Sequence, residues 1–110
     1  MKKIMIVDDN YLSAEGIEKN IDWEALNAEI VHICYNGTAA IEAMKKESVD
    51  LIISDIEMPD LDGISMSRQA LNINPMVKII LISAYDKFEY GAPCFWVHWI
   101  TLRNHWITLI

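Results

Sequence analysis

Val49-Asp50-Leu51-Ile52-Ile53-Ser54-Asp55-Ile56-Glu57-Met58-Pro59 is the stretch that decides the fold. Its apolar run is short, unbroken by alternation and ends abruptly at an acid, which reads as a strand buried on both faces. Proline holds the residue before it extended and has no N–H to donate, so Met58-Pro59 prevents helix or strand from continuing smoothly. The strand therefore presents Asp55 at its carboxyl tip.

The same grammar repeats on either side. Ile4 to Val7 is a second apolar run, ending in Asp8-Asp9-Asn10, and Val77 to Ile82 is another, ending at Ser83. Leu12, Ala14, Ile17 and Ile21 approximate a helical period from about Asn10, a good N-cap, to Asn20. Ile30 to Tyr35 is rich in strand formers and closes on the turn signal Asn36-Gly37. Thr38 to Glu47 is helical in composition, Asp62 caps a third helix to about Leu71 and Asn74-Pro75 breaks it. Tyr85 to Tyr90 is expected to start a fourth helix. Strands alternating with helices at this spacing imply crossover units and an α/β fold, a parallel sheet covered on both faces.

Composition narrows the function. A chain of 110 residues fills one core, and 53% hydrophobic with 23% charged residues excludes disorder. A net charge of −7 argues against nucleic-acid binding by this chain, because phosphate contacts need a positive face. Cys34 and Cys94 make no disulfide framework and suit a reducing compartment. No apolar segment near the start is long enough for a signal core or a membrane span, so a cytoplasmic location is expected.

In parallel sheets, ligands bind beyond the carboxyl ends of the strands, where Asp8, Asp9, Asp55 and Ser83 all fall. Three carboxylates converging there repel one another, and a divalent cation relieves that cost. Mg²⁺, which takes hard oxygen ligands and keeps several waters, is the natural occupant. Acids at strand ends also cap helices or simply face solvent, so Asp8 alone is a weak signal.

Taken together and in order, Ile4-Met5-Ile6-Val7-Asp8-Asp9, the segment from Leu51 through Asp55, Met58-Pro59 and Asp62-Gly63, and Ile79 to Ser83-Ala84 carry a family resemblance. From about residue 2 to residue 90 the chain resembles the receiver domain of two-component response regulators. Ile21-Asp22-Trp23, after the first helix, resembles receivers fused to AraC-type DNA-binding domains. The resemblance implies a flavodoxin-like, CheY-like doubly wound sheet with strand order 2-1-3-4-(5). It implies Asp55 as phosphoacceptor from a sensor histidine kinase, and Mg²⁺ held by Asp9, by Asp8 mainly through water, by Asp55 and by the Glu57 backbone carbonyl. It further implies Ser83 as hydrogen-bond donor to the phosphoryl group and reporter of its arrival, Met58-Pro59 as shapers of the loop, and Gly63 as a point of tight packing or of an unusual backbone angle. Trp23 is expected to anchor the loop after the first helix.

After Tyr90 the pattern ends. Residues 91–110 carry three of the four tryptophans and the single charge of Arg103, and no strand ending in Lys-Pro follows. Codons read one nucleotide upstream permit a run ending in Lys-Lys-Pro, with Leu102-Arg103-Asn104-His105 supplying those three residues, so we read a frameshift near Gly91. Residues 1–90 are then an incomplete receiver and 91–110 a foreign tail, with the fifth strand and helix absent or replaced. Lys87 sits too early to stand in for the family's lysine. Without a fifth strand, Val77 to Ile82 is left an open edge, unless Phe95 to Ile100 covers it or the tail drives self-association, alone or as a receiver homodimer.

Rival readings are a phosphorylation-independent interaction module or nonfunctional product, an aspartyl-phosphate phosphatase, and a metal site of Cys94, His98 and His105, whose spacing matches no strong zinc pattern. The expected activity is stoichiometric switching rather than enzymatic turnover.

Overall fold

A computed structural model of the chain describes residues 1–82, 98–102 and 105–109. Its elements in order are β1 (Lys2–Val7), α1 (Tyr11–Asn20), β2 (Ala28–Cys34), α2 (Gly37–Lys46), β3 (Leu51–Asp55), α3 (Gly63–Ile73), β4 (Lys78–Ile82), β5 (His98–Leu102) and β6 (His105–Leu109). Six strands form one sheet in the order β2-β1-β3-β4-β6-β5. The first four are mutually parallel, in the order 2-1-3-4 that the family resemblance implies. β6 runs parallel to β4, and β5 lies outside it, antiparallel.

Each helix begins where a side chain can take up its first free N–H groups. Asn10 accepts from Leu12 and Ser13, Asn36 from Ala39 and Asp62 from Ser65. Asn36-Gly37 is therefore a helix start, with Gly37 the first residue of α2, rather than a strand-closing turn. β2 likewise begins two residues earlier than the β-rich run, at Ala28, because Lys2 and Lys3 of β1 pair with Ala28 and Glu29.

Strand periodicity sends alternate residues to opposite faces of the sheet. Met5, Val7, Ile52, Ile79 and Leu81 join Ile41 and Met44 of α2 and Met66 and Leu71 of α3 in one continuous buried cluster. The opposite face is more open: Ile4, Ala28 and Ile53 are buried there, while Ile17, Trp23, Ile30, Leu51, Ile80 and Ile82 are only partly covered. Trp23 packs against this second cluster and its carbonyl accepts from Ala28 and Leu26, which makes it the expected anchor of the α1–β2 loop.

The edge of β4 is covered in part. β6 pairs with it at Ile80 opposite Thr108 and Leu81 opposite Leu109, so the covering strand is His105–Leu109 and not the Phe95 to Ile100 stretch. His98 and Ile100 belong to β5, one strand further out. Tyr85 to Tyr90, Lys87, Ser83, Cys94 and Arg103 lie outside the described residues. None of the helices among the described residues is long and apolar enough to cross a membrane.

Candidate functional site

The chain leaves β1 toward β2 on one side and returns to β3 on the other, so the crossover direction reverses between β1 and β3. That reversal opens a crevice beyond the strand ends. Val7 ends β1 with Asp8 and Asp9 immediately behind it, and Asp55 ends β3. One oxygen from each of the three carboxylates falls within 4.8 Å of the other two, a grouping able to hold a metal ion. Asp8 is buried at 9% exposure, Asp55 is half-buried and Asp9 is exposed, so the cluster opens to solvent on the Asp9 side.

Local hydrogen bonds fix the two strand tips. The Asp8 N–H donates to the Cys34 carbonyl at 3.0 Å, and its carboxylate accepts from the Asn10 N–H at 2.9 Å, turning the chain into α1. The Ile56 N–H donates to the Ile82 carbonyl at 3.1 Å and the Ser54 hydroxyl to the Asp55 carbonyl at 2.8 Å. Asp55 also stands opposite Ile82 in the β3–β4 ladder. Ser83, which follows Ile82 in sequence, lies outside the described residues.

The loop between β3 and α3 is pinned twice. The Gly63 N–H donates to the Ile56 carbonyl at 2.7 Å, and a Cβ added at Gly63 would stand 2.4 Å from the Asp55 carbonyl oxygen. The start of α3 thus lies directly on the backbone of Asp55, so of the two roles expected for Gly63 the tight packing is the one the structure gives. At the other pin, the Asp60 carboxylate accepts from the N–H groups of Gly37 and Thr38 and from the Thr38 hydroxyl, the last at 2.6 Å. Gly37 is equally tight, since a Cβ there would meet the Leu61 carbonyl oxygen at 2.5 Å. Between the pins, the Met58 side chain enters the main core while Pro59 stays exposed, so Met58-Pro59 does shape this loop. Asp60 was not singled out from sequence; one acid among several in a loop carries no local signal of the helix it will cap.

Electrostatics mark the cluster as strained without a cation. Burial pushes the Asp55 carboxyl above the ordinary aspartate range, the Asp8 charge adds to it, and backbone N–H groups of Glu57 and Ile56 work the other way. Burial also raises Asp8, opposed by the Asn10 N–H and reinforced by Asp9. The ion pairs among the described residues join Lys3 to Glu47, Lys19 to Glu15 and Lys45 to Glu42, and His32 Nε2 lies 3.1 Å from a Glu47 carboxylate oxygen; these three acids are left out. Two cavities flank them. One of about 700 Å³ is lined by Asp9, Glu57, Met58, Asp62 and Arg68, and another of about 580 Å³ by Asp8, Asp9, Asp55, Ser13 and Ile82. The donor set fits a hard divalent cation: oxygen ligands only, one open side and like charges that need neutralising.

The Cys94, His98 and His105 grouping fails on register. His98 stands opposite Leu109 and His105 opposite Leu102, so the two histidines lie four ladder positions apart, about 13 Å at strand rise.

Comparison with known proteins agrees with this geometry. The family model described as the response regulator receiver domain matches residues 4–98. The uncharacterized transcriptional regulatory protein YesN of Bacillus subtilis strain 168 is 31% identical over 83% of this chain, which spans 25% of that protein's length. The REC domain of AraT, a response regulator from Geobacillus stearothermophilus, superposes with a TM-score of 0.74 at 34% identity, covering 82% of this chain and 70% of that one. A two-component transcriptional regulator AraC from Clostridium phytofermentans gives a TM-score of 0.73 at 33% identity, over 82% and 73% of the two chains. With its sheet order, its acidic crevice and a family match over most of its length, the chain belongs to the response regulator receiver domain family.

Proposed function

We propose that this chain is a phosphoacceptor: Asp55 takes a phosphoryl group from the phosphohistidine of a sensor histidine kinase. The observation that carries the reading is the approach of Asp8, Asp9 and Asp55 to within 4.8 Å at the sheet's crossover reversal. An Asp55 carboxylate oxygen attacks phosphorus, the P–N bond breaks, and the imidazole leaves and is protonated by solvent. Asp8, Asp9, Asp55 and the Glu57 backbone carbonyl would hold Mg²⁺. When bound, the ion supplies charge neutralisation between two anions and in-line positioning of the phosphoryl group. The remaining work falls to the chain. Gly63 packing and the Ile56–Ile82 hydrogen bond fix the backbone from which Asp55 reaches out, and the exposed side of Asp9 leaves an entry path. Ser83 would donate to a phosphoryl oxygen and pass the change onward. The output is transcriptional, through a DNA-binding domain beyond this chain, in keeping with the transcriptional regulators among its relatives.

A second reading, a receiver that binds partners without phosphorylation, is favoured by one feature. The strand beside β4 is drawn from a His-Trp-Ile-Thr-Leu segment, and the Lys-Pro strand of the family pattern has no counterpart in the sequence. Losing the family's lysine removes a cation that would hold the phosphoryl charge.

Radiolabelled transfer from a phosphorylated kinase domain separates these readings. One equivalent of base-labile label per chain, absent from Asp55→Asn, supports the phosphoacceptor. Kinase binding without transfer supports the interaction module, and repeated release of inorganic phosphate from small esters would point instead to a phosphatase.

A further inference from the structure

His98-Trp99-Ile100-Thr101-Leu102 and His105-Trp106-Ile107-Thr108-Leu109 are the same five residues, separated by Arg103 and Asn104. They form β5 and β6, which pair antiparallel with His98 opposite Leu109, Trp99 opposite Thr108, Ile100 opposite Ile107, Thr101 opposite Trp106 and Leu102 opposite His105. The pentapeptide thus pairs with its own duplicate in a register centred on isoleucine. Such a register between identical antiparallel segments is symmetric about a two-fold axis.

The two copies of the segment differ in what surrounds them. β6 lies between β4 and β5, paired along its whole length with β5 and with β4 at Thr108 and Leu109. β5 is last in the sheet, and among the described residues no strand pairs with its outer edge. Proteins blunt such edges with charge, proline or irregularity, and residues 98–102 contain no Asp, Glu, Lys, Arg, Pro or Gly. The chain therefore carries at its border an unguarded strand whose matching partner sequence and register it already displays internally, and every copy offers the same strand.

We propose that β5 of one copy pairs antiparallel with β5 of a second copy, with Ile100 opposite the partner's Ile100 on a two-fold axis, joining the two sheets into one. Trp99 then stands opposite the partner's Thr101, and His98 opposite the partner's Leu102, repeating the order seen between β5 and β6. Backbone N–H and C=O groups alternate between the two edges of a strand, and an antiparallel two-fold passes through a bonded or an unbonded pair equally well. The centre on Ile100 is therefore allowed in either phase. The assembly stops at two because each copy has one such edge among the described residues; the far border of the sheet is β2, of unrelated sequence. This pairing does not depend on phosphorylation of Asp55.

Cross-linking in the full chain tests the register. In a Cys34→Ala, Cys94→Ser background, Ile100→Cys places two thiols at the axis. Their Cα atoms are then about 4.5–5.5 Å apart, within disulfide span, so mild oxidation yields a covalent dimer. Trp99→Cys alone stays unlinked but links when mixed with Thr101→Cys. Sedimentation of the parent gives a dimer, and Ile100→Lys, which sets two ammonium groups facing each other, shifts it to monomer. Should the lysine variant fail to fold, the cross-linking pattern decides by itself. A parent that stays monomeric across a dilution series, assemblies larger than two, or equal linking by Trp99→Cys and Ile100→Cys would overturn the proposal.

Discussion

The two ends of the sheet are built by different means. From β2 to β4 the strands are parallel, joined through helices with capped starts, and their carboxyl ends gather charge. Beyond β4, two strands of one repeated sequence pair with each other, and the inner one covers part of the β4 edge. The contrast shows how local the acidic site is. Asp8, Asp9 and Asp55 come from the ends of β1 and β3, neighbours in the middle of the sheet, so their approach requires nothing from β5 and β6.

The sharpest break in this comparison would come from core truncation. Ile52→Ala, in the closed cluster facing α2 and α3, is expected to cost about 3–4 kcal/mol. Ile80→Ala, on the partly covered opposite face beside β6, is expected to cost about 1–2 kcal/mol. Urea unfolding of both variants measures the difference; equal losses would mean the hairpin end is packed as firmly as the rest. Next in size is Gly63→Ala, whose methyl group must displace the Asp55 backbone, for a loss of about 2–3 kcal/mol and a slower phosphorylation rate. Asn36→Ala, which strips the α2 cap, is expected to cost about 1 kcal/mol.

The smallest effect is a pH dependence. Because burial raises the carboxyls of Asp8 and Asp55, the folded chain holds their protons more tightly than the unfolded one. Their contribution is then most favourable when both are protonated and falls as pH rises through their elevated range. Without Mg²⁺, Asp55→Asn should raise the unfolding midpoint at neutral pH, and the gain should vanish below the ordinary aspartate range. Mg²⁺ should stabilise the parent at neutral pH and the variant less. A variant no more stable than its parent at neutral pH would show that the cluster carries no such strain.

Much of this was legible in the residues themselves. Apolar runs ending in acids locate β1 and β3, the run ending at Ser83 locates β4, and Asn10 and Asp62 announce their helices, because caps and buried strands are specified locally. Three features were not. Asn36-Gly37 reads equally as a turn and as a helix start, and only the packing of Gly37 on Leu61 decides between them. Asp60 caps a helix more than twenty residues earlier in the chain, a link that exists only in three dimensions. The duplicated pentapeptide is visible in the sequence, but that its copies pair with each other, and that one of them lies beside β4, is set only by the sheet.

Intact mass after incubation with Mg²⁺ and a small phosphodonor tests the central claim most directly. A single phosphoryl increment that requires Mg²⁺ and disappears in Asp55→Asn is the expected result. A folded, Mg²⁺-exposed chain that gains no mass, or an increment that persists in Asp55→Asn, would contradict the assignment of Asp55 as phosphoacceptor.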